Sequence, residues 1–337
     1  MMDILNALVV FLNFVFIPGV AYGAQLALGA LGVTLIYGIL RFSNFAHGDT
    51  MAFGTMCTIL VTWWLQSLGV HLGVLPTALL ALPAGIVATT LVVLATDRLV
   101  YRFYRRVRAA PVIVVIASMG VMFVMNALTR FVIGVNDINF SDGARFVIGA
   151  REFRVLTGLD EGLAIRTSQV ITLGVAIVAV ALLFWFLNRT RTGKSMRAFS
   201  DNEDLALLSG INPERVVTVT WIITAALATT AGVLYGLDKS FNPFTYFQLL
   251  LPIFAAAIVG GLGNPLGAVV GGFVIAMSEV TVTYAWKRVL VYLLPDELEP
   301  DGLVQLMSTD YKFAVSFAIL VVVLLFRPTG LFRGKSV

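Results

Sequence analysis

Few residues in this chain of 337 could carry out chemistry. Gly193-Lys194-Ser195 has the ending of a phosphate-binding loop, in which backbone amides and the lysine cradle phosphate oxygens. That loop needs a glycine five residues ahead of the Gly-Lys pair, and Asn188 stands there. A buried strand should lead into it, whereas here a long apolar run does. Gly334-Lys335-Ser336 fails the same way, with Thr329 in the glycine place. His47, His71 and Cys57 cannot form a transition-metal site by themselves. The single cysteine also excludes an intramolecular disulfide. No nucleophile–histidine–acid set is supported, so the residues argue for no enzyme and for no cofactor held by this chain. What remains are polar groups in apolar surroundings, where ionisable residues mark function by default because a charge in lipid is costly. Glu279 lies inside an apolar run, Asn126 lies in the middle of another, and Asp49 opens a third after Asn44-Phe45-Ala46-His47-Gly48. Each carboxylate also has a plainer reading. Asp49 would be favoured at a helix N-terminus by the helix dipole, and Glu279 could pair with a neighbouring helix or lie near an interface.

The elements that must position these groups are membrane helices. The chain is 59% hydrophobic and 12% charged, with a mean hydropathy of +0.93. Soluble domains carry about 25% charged residues. The predicted fold is therefore all-α: one polytopic transmembrane bundle over residues 1–337, with about 8–10 spans. The candidate spans are 4–21, 22–40, 48–66, 74–96, 111–133, 168–187, 216–237, 246–262, 266–284 and 308–326. The first holds Asn6 and Asn13 and ends at Pro18-Gly19, so a helix lying at the interface competes with a span there. Only Gly263-Asn264-Pro265 joins 246–262 to 266–284, so one of that pair could be short or re-entrant. The N-terminus lacks the basic region of a cleaved signal peptide and is taken as part of the mature protein. A net charge of +4 without a basic face gives no nucleic-acid reading.

Arginine and lysine set the orientation. Arg98, Arg102, Arg105, Arg106 and Arg108 crowd one segment; Arg189, Arg191, Lys194, Arg197 and Arg215 a second; Arg327, Arg333 and Lys335 the tail. Even numbers of spans separate the three, so all can be cytoplasmic, C-terminus included. The segments 134–167 and 285–307 then face outside. Within 134–167, residues 145–149 and 150–156 read as two short strands about a glycine-containing turn, serving as a solvated hairpin or a docking surface. Five spans on each side of 134–167 would give two halves of opposite topology and permit an inverted repeat.

The polar island 189–215 reads as a compact helical hook. Ser200 and Glu203 fit a capping box, Gly210 a left-handed helix stop, and Asn212-Pro213 a second N-cap with proline at the first helical position. Asn202, Ala206 and Gly210 are a turn apart and share a face. Gly263, Gly267 and Gly271 set small residues four apart, a spacing that brings membrane helices close, whether for packing or in a moving gate.

Four stretches, in order, resemble the permease subunits of bacterial branched-chain amino-acid ABC importers, the LivH type. Asn44-Phe45-Ala46-His47-Gly48-Asp49 looks like the family's N-F-A-H-G-E, with Asp49 shortening the usual Glu. Gly193 to Ile211 is similar to its cytoplasmic segment, matched at Arg197, Ala198, Asn202, Ala206, Gly210 and Ile211. Val259 to Gly272, with Gly260, Gly261 and Gly263, resembles its glycine-rich segment, and Arg327-Pro328-Thr329-Gly330-Leu331 its C-terminal motif. The resemblance covers residues 19–332; the region before Gly19 is more hydrophobic than the family pattern. It implies a multi-pass protein of the bacterial inner membrane forming half of an alternating-access pathway. It also implies a second, related permease subunit, two cytoplasmic ATPase subunits that use the ATP, and a periplasmic substrate-binding protein. Membrane lipid is a further partner. The hook would then couple to the ATPases through Arg197, Ala198, Asn202, Ala206, Gly210 and Ile211. Asn44, His47, Asp49, Gly260, Gly261, Gly263 and Glu279 are candidates for the pathway or its gate. Two alternatives stay open: the related urea and short-chain amide importer, and an ion-coupled secondary carrier, which the scarcity of buried carboxylates disfavours.

Overall fold

A computed structural model describes residues 2–295, 300 and 302–332. It is a helical bundle with one small two-stranded sheet. The chain enters through α1 (Met2–Phe11), which runs through a π-helical turn (Leu12–Phe16) into α2 (Ile17–Leu40). The predicted spans 4–21 and 22–40 are thus one rod of 39 residues, about 58 Å long, roughly twice the hydrocarbon thickness of a bilayer. Pro18 does not end it. Proline lacks an N–H and crowds the carbonyl four residues back, and the wide π turn lies where that clash would fall.

α3 (His47–Ser67) follows, then α4 (Ala78–Thr96), which passes through a second π turn (Asp97–Tyr101) into α5 (Arg102–Arg106). The arginine segment 97–108 is therefore mostly helix. α6 (Pro111–Ile133), α8 (Thr167–Arg189), α11 (Pro213–Lys239), α12 (Pro243–Gly260), α13 (Pro265–Thr283) and α15 (Lys312–Phe326) complete the crossing helices. Between them lie α7 (Ala150–Thr157), α9 (Arg191–Asp201), α10 (Glu203–Leu208) and α14 (Lys287–Leu293). Among the described residues seven helical stretches are long and apolar enough to cross a membrane, and α3 and the shorter α15 run alongside them. Among the described residues four crossing rods precede the 134–167 segment and five follow it, because the first two predicted spans are one rod.

Contacts between connections sort the bundle into two faces. On the basic face, Arg41 Nη2 donates to the Ser200 carbonyl at 2.7 Å, Arg102 lies 3.4 Å from Glu214, and the Leu331 amide donates to the Val259 carbonyl at 2.8 Å. The first two basic segments and Arg327 share this face; Arg333 and Lys335 lie outside the described residues, as do 296–299 and 301 of the segment 285–307. On the far face, Asn6 Nδ2 donates to Asp160 at 3.1 Å, Ile138 and Phe241 form a β-bridge, and the Tyr292 hydroxyl donates to Glu161 at 3.1 Å.

The far-face segment corrects one prediction. Phe146–Ile148 (β1) pairs antiparallel with Ile165–Arg166 (β2), and residues 150–157 form helix α7. Glu152 accepts the Gly149 N–H, which favours a helix start, and Gly158 ends α7 at φ +71°.

α2 is buried on all sides from Ala21 to Ile36 and packs against α13 and α11 at the centre of the bundle. α12 and α13 meet through Gly260 and Gly267; a Cβ on either would run into the other's carbonyl. Gly271 packs against the Ala256 carbonyl, whereas Gly263 sits in the turn at φ +82° with open space around it. Two members of the four-spaced stripe therefore pack helices and the third shapes a connection.

Candidate functional site

The first site is the break between α2 and α3. Leu40 is followed by Arg41 in the left-handed region (φ 57°, ψ 29°), which closes α2 through a 3.0 Å bond from its N–H to the Tyr37 carbonyl. Residues 42–46 then turn back into the bundle, and Phe42, Asn44 and Ala46 are buried. Backbone inside a membrane protein needs local partners. The Phe45 N–H donates to Ser118 Oγ at 3.1 Å, the Ala46 N–H to Asn44 Oδ1 at 3.2 Å, and the His47 N–H to the Asn44 carbonyl at 3.3 Å. The Phe45 ring lies 5.2 Å from that of Phe254 on α12.

α3 consequently starts deep inside the bundle. Its Asp49 accepts a 2.6 Å bond from Asn126 Nδ2, and Asn126 lies about 22 Å along α6 from Pro111. Asp49 is fully buried. Gly48 lies flat against α12, where a Cβ would come within 2.6 Å of the Tyr246 carbonyl. His47 packs against Gly32; its ring faces the Gly29 carbonyl without reaching hydrogen-bond geometry. Both His47 nitrogens and Asp49 Oδ2 are buried without a hydrogen-bond partner among the described residues. Buried polar atoms are normally satisfied, so this group invites a functional explanation. A helix N-terminus inside a bundle presents positive dipole and amides to a ligand carboxylate, and the spare aspartate oxygen suits an ammonium.

A second network joins this break to the basic face. Asp97 accepts from Arg105 at 2.5 and 2.9 Å and from Trp221 Nε1 at 2.7 Å. The Trp221 ring stacks on Tyr101 at 5.3 Å, and the Tyr101 hydroxyl donates to Asn44 Oδ1 at 3.2 Å. Sequence reasoning took Arg105 only as a topological charge and missed this chain. The available signal was one aspartate among five arginines.

Glu279 belongs elsewhere. It is buried on α13, one turn before the far-face end, and accepts a hydrogen bond from Ser316 Oγ of α15. Tyr22, Tyr235 and Lys312 face it. Gly260, Gly261 and Gly263 lie at the opposite, basic end of α12 and α13, where Gly330 of the tail presses on Gly261. The predicted pathway residues thus fall at three places: Asn44, His47 and Asp49 together, Glu279 alone, and the glycines beside the tail.

The hook is α9 and α10. Thr190 caps α9 by accepting the Gly193 N–H at 3.0 Å, and Gly193 fits tightly against the Phe186 carbonyl, so its glycine has a packing reason. The predicted Ser200 cap is displaced. Ser200 lies within α9, and Asn202 caps α10 by accepting the Leu205 N–H at 3.0 Å. Gly210 adopts φ +78°, the Ile211 N–H returns to the Ala206 carbonyl at 3.0 Å, and Asn212 caps α11 by accepting the Arg215 N–H at 3.2 Å. Arg197, Ala198, Asn202 and Gly210 are exposed, but Ala206 is only 3% exposed and packs inside the hook. The open apolar surface of α10 is instead its leucines, of which Leu205 and Leu208 are the most exposed, 61% and 85%.

A bundle of crossing helices, one of them starting deep inside it behind a re-entrant polar segment, defines a multi-pass membrane transport protein. The chain belongs to the family of the branched-chain amino acid transport system, permease component, whose model matches residues 16–324. It is 30% identical to the high-affinity branched-chain amino acid transport system permease protein LivH of Salmonella typhimurium, over 95% of this chain and 94% of that protein. It is 28% identical to the corresponding permease protein BraD of Pseudomonas aeruginosa, over 95% of each chain. It is 31% identical to a probable LivH of Methanocaldococcus jannaschii, over 79% of each. No solved structure matches the chain.

Proposed function

We propose that this chain is the transmembrane permease of an ATP-driven importer for branched-chain or similar amino acids, forming half of an alternating-access pathway. The observation that carries this reading is the deep start of α3, where His47 and Asp49 place unpartnered polar atoms beside a helix N-terminus that Asn44 helps to shape. An amino acid offers the matching pair of charges. Its carboxylate suits the N-terminal turn of α3 and its ammonium the second oxygen of Asp49. The rings of Phe45 and Phe254 suit an aliphatic side chain. The chain itself carries out no covalent chemistry. Two ATPase subunits hydrolyse ATP, a second related permease completes the pathway, and a periplasmic binding protein delivers the substrate. The family supports a place in the inner membrane, and the positive-inside rule makes the basic face, and with it the C-terminus, cytoplasmic. The hook on that face receives the ATPase, and the Asp97–Trp221–Tyr101–Asn44 chain runs from that face to the deep site.

The test is reconstitution of the permease pair with its ATPases and binding protein in proteoliposomes. ATP-dependent uptake of leucine, isoleucine or valine is the expected result. Uptake of urea alone, or leucine uptake that proceeds without the ATPases, would overturn the reading.

A further inference from the structure

On the basic face, a cavity of about 410 Å³ lies where the end of α2, α5, the start of α6, the hook and the start of α11 converge. Arg41, Arg105, Arg106 and Arg108 line it, together with the carboxylates of Glu203 and Glu214. Its charge follows from the pairing. Arg105 is committed to Asp97, and Glu214 to Arg102 outside the cavity. Arg41 reaches only a backbone carbonyl, and Arg106 and Arg108 have no carboxylate partner among the described residues. Two guanidiniums without a carboxylate partner, and a third, Arg41, that engages only a carbonyl, therefore stand against one uncommitted carboxylate among the described residues, Glu203. Arg108 holds its place in a left-handed conformation (φ 48°) that side chains seldom adopt.

The floor of the cavity is apolar: Ile39, Leu40, Phe42, Val114 and Val217. Phe103, Val112 and Ile116, on other faces of α5 and α6, are each at least 60% exposed. We infer that this cavity binds an anionic phospholipid, its phosphate held by Arg41, Arg106 and Arg108 and its glycerol and first acyl carbons lying on Ile39, Phe42, Val114 and Val217. A phosphate diester is the chemistry that guanidiniums recognise, and basic pockets between membrane helices suit such head groups. An acidic segment of a partner protein would satisfy the arginines but would have no use for the apolar floor. Because the walls come from both the hook and the spanning helices, an occupied cavity ties the two together.

The experiment compares the purified permease in nanodiscs of phosphatidylglycerol and of phosphatidylcholine. It reads the melting temperature in each and the lipids that stay bound in native mass spectrometry. The wild type should melt higher in phosphatidylglycerol and retain it selectively. Each of Arg106→Gln and Arg108→Gln should cut that selectivity about fivefold, the worth of one basic residue at an anionic surface. Both side chains are exposed, so neither change threatens the fold. Arg151→Gln, on the far face, should leave selectivity unchanged. Equal retention of both lipids by the wild type would overturn the site. So would stabilisation of the detergent-solubilised protein by inorganic phosphate without lipid preference, which would name a soluble anion as the ligand. If the two variants lose ATPase co-purification but keep full lipid selectivity, the arginines meet a protein, and the lipid site is refuted.

Discussion

Replacing Leu205 and Leu208 with serine tests whether the hook is a docking element. In the free permease these side chains are 61% and 85% exposed, so each change should alter its stability by less than about 0.5 kcal/mol. If α10 seats in a groove of an ATPase subunit, burial of each leucine contributes about 1.5–3 kcal/mol to the complex. Losing one should then weaken binding about 10- to 150-fold. The assay is titration of nucleotide-bound ATPase onto the permease in nanodiscs, with leucine uptake measured in parallel at matched permease abundance. Ala206→Glu, the variant that the sequence pattern suggests, is a poor probe. Ala206 is 3% exposed, and a carboxylate there would break the hook from within. Wild-type affinity and uptake for the double serine variant would mean that α10 is only a connector.

Four other outcomes are expected. Asp49→Asn keeps an acceptor for Asn126 but loses the charge, so the KM for uptake should rise at least about tenfold while the melting temperature holds; an unchanged KM would remove Asp49 from the substrate site. On the far face, burial alone would raise the pKa of Asp142, but the hydroxyl and amide of Thr77 and the amide of Gln66 hold it down to about 2. Its folded pKa lies below the unfolded value, so the stabilisation is present above about pH 4 and is lost as pH falls through about 2. Proteolysis of the 68–77 loop should therefore be unchanged between pH 7 and 4 in the wild type and faster in Asp142→Ala throughout. Gly267→Leu should lower folded yield sharply because the Gly260 carbonyl cannot move aside, whereas Gly263→Ala should cost only about 1 kcal/mol of backbone strain; equal melting temperatures would contradict the packing. Cysteines at Asn202 and Ala150 should label from opposite sides of the membrane, Asn202 from the cytoplasm.

Most spans were legible because a membrane helix must satisfy its backbone internally and cover itself with apolar side chains, and both demands write themselves into composition. What escaped were places where context overrules a local signal. Pro18-Gly19 reads as a stop, yet the rod runs on because the turn before it is wide. Ser200 and Asn202 both suit an N-cap; packing of Met196 and Phe199 keeps Ser200 inside α9 and leaves Asn202 to break the chain. Residues 150–156 are as compatible with strand as with helix, and β1 takes its partner from 165–166 instead. The motif from Asn44 to Asp49 stood out in the sequence. Its depth did not, because nothing in 41–46 announces that an extended segment turns back inward. Depth depends on Ser118 and Asn126 of α6 and on Tyr101 at the end of α4's π turn, all far from 41–46 in the sequence.

The 39-residue rod of α1 and α2 has a mechanical consequence. One end is fastened to the far face through Asn6 and Asp160, and the other to the hook through Arg41 and Ser200. A continuous helix resists bending over this length, so it acts as a lever with its fulcrum in the core. Tilting it by about 5° around its middle moves the two ends by about 2.5 Å in opposite directions, given a length of about 58 Å. A push on the hook at one surface therefore arrives at the other as a pull, without any relay of side chains between them.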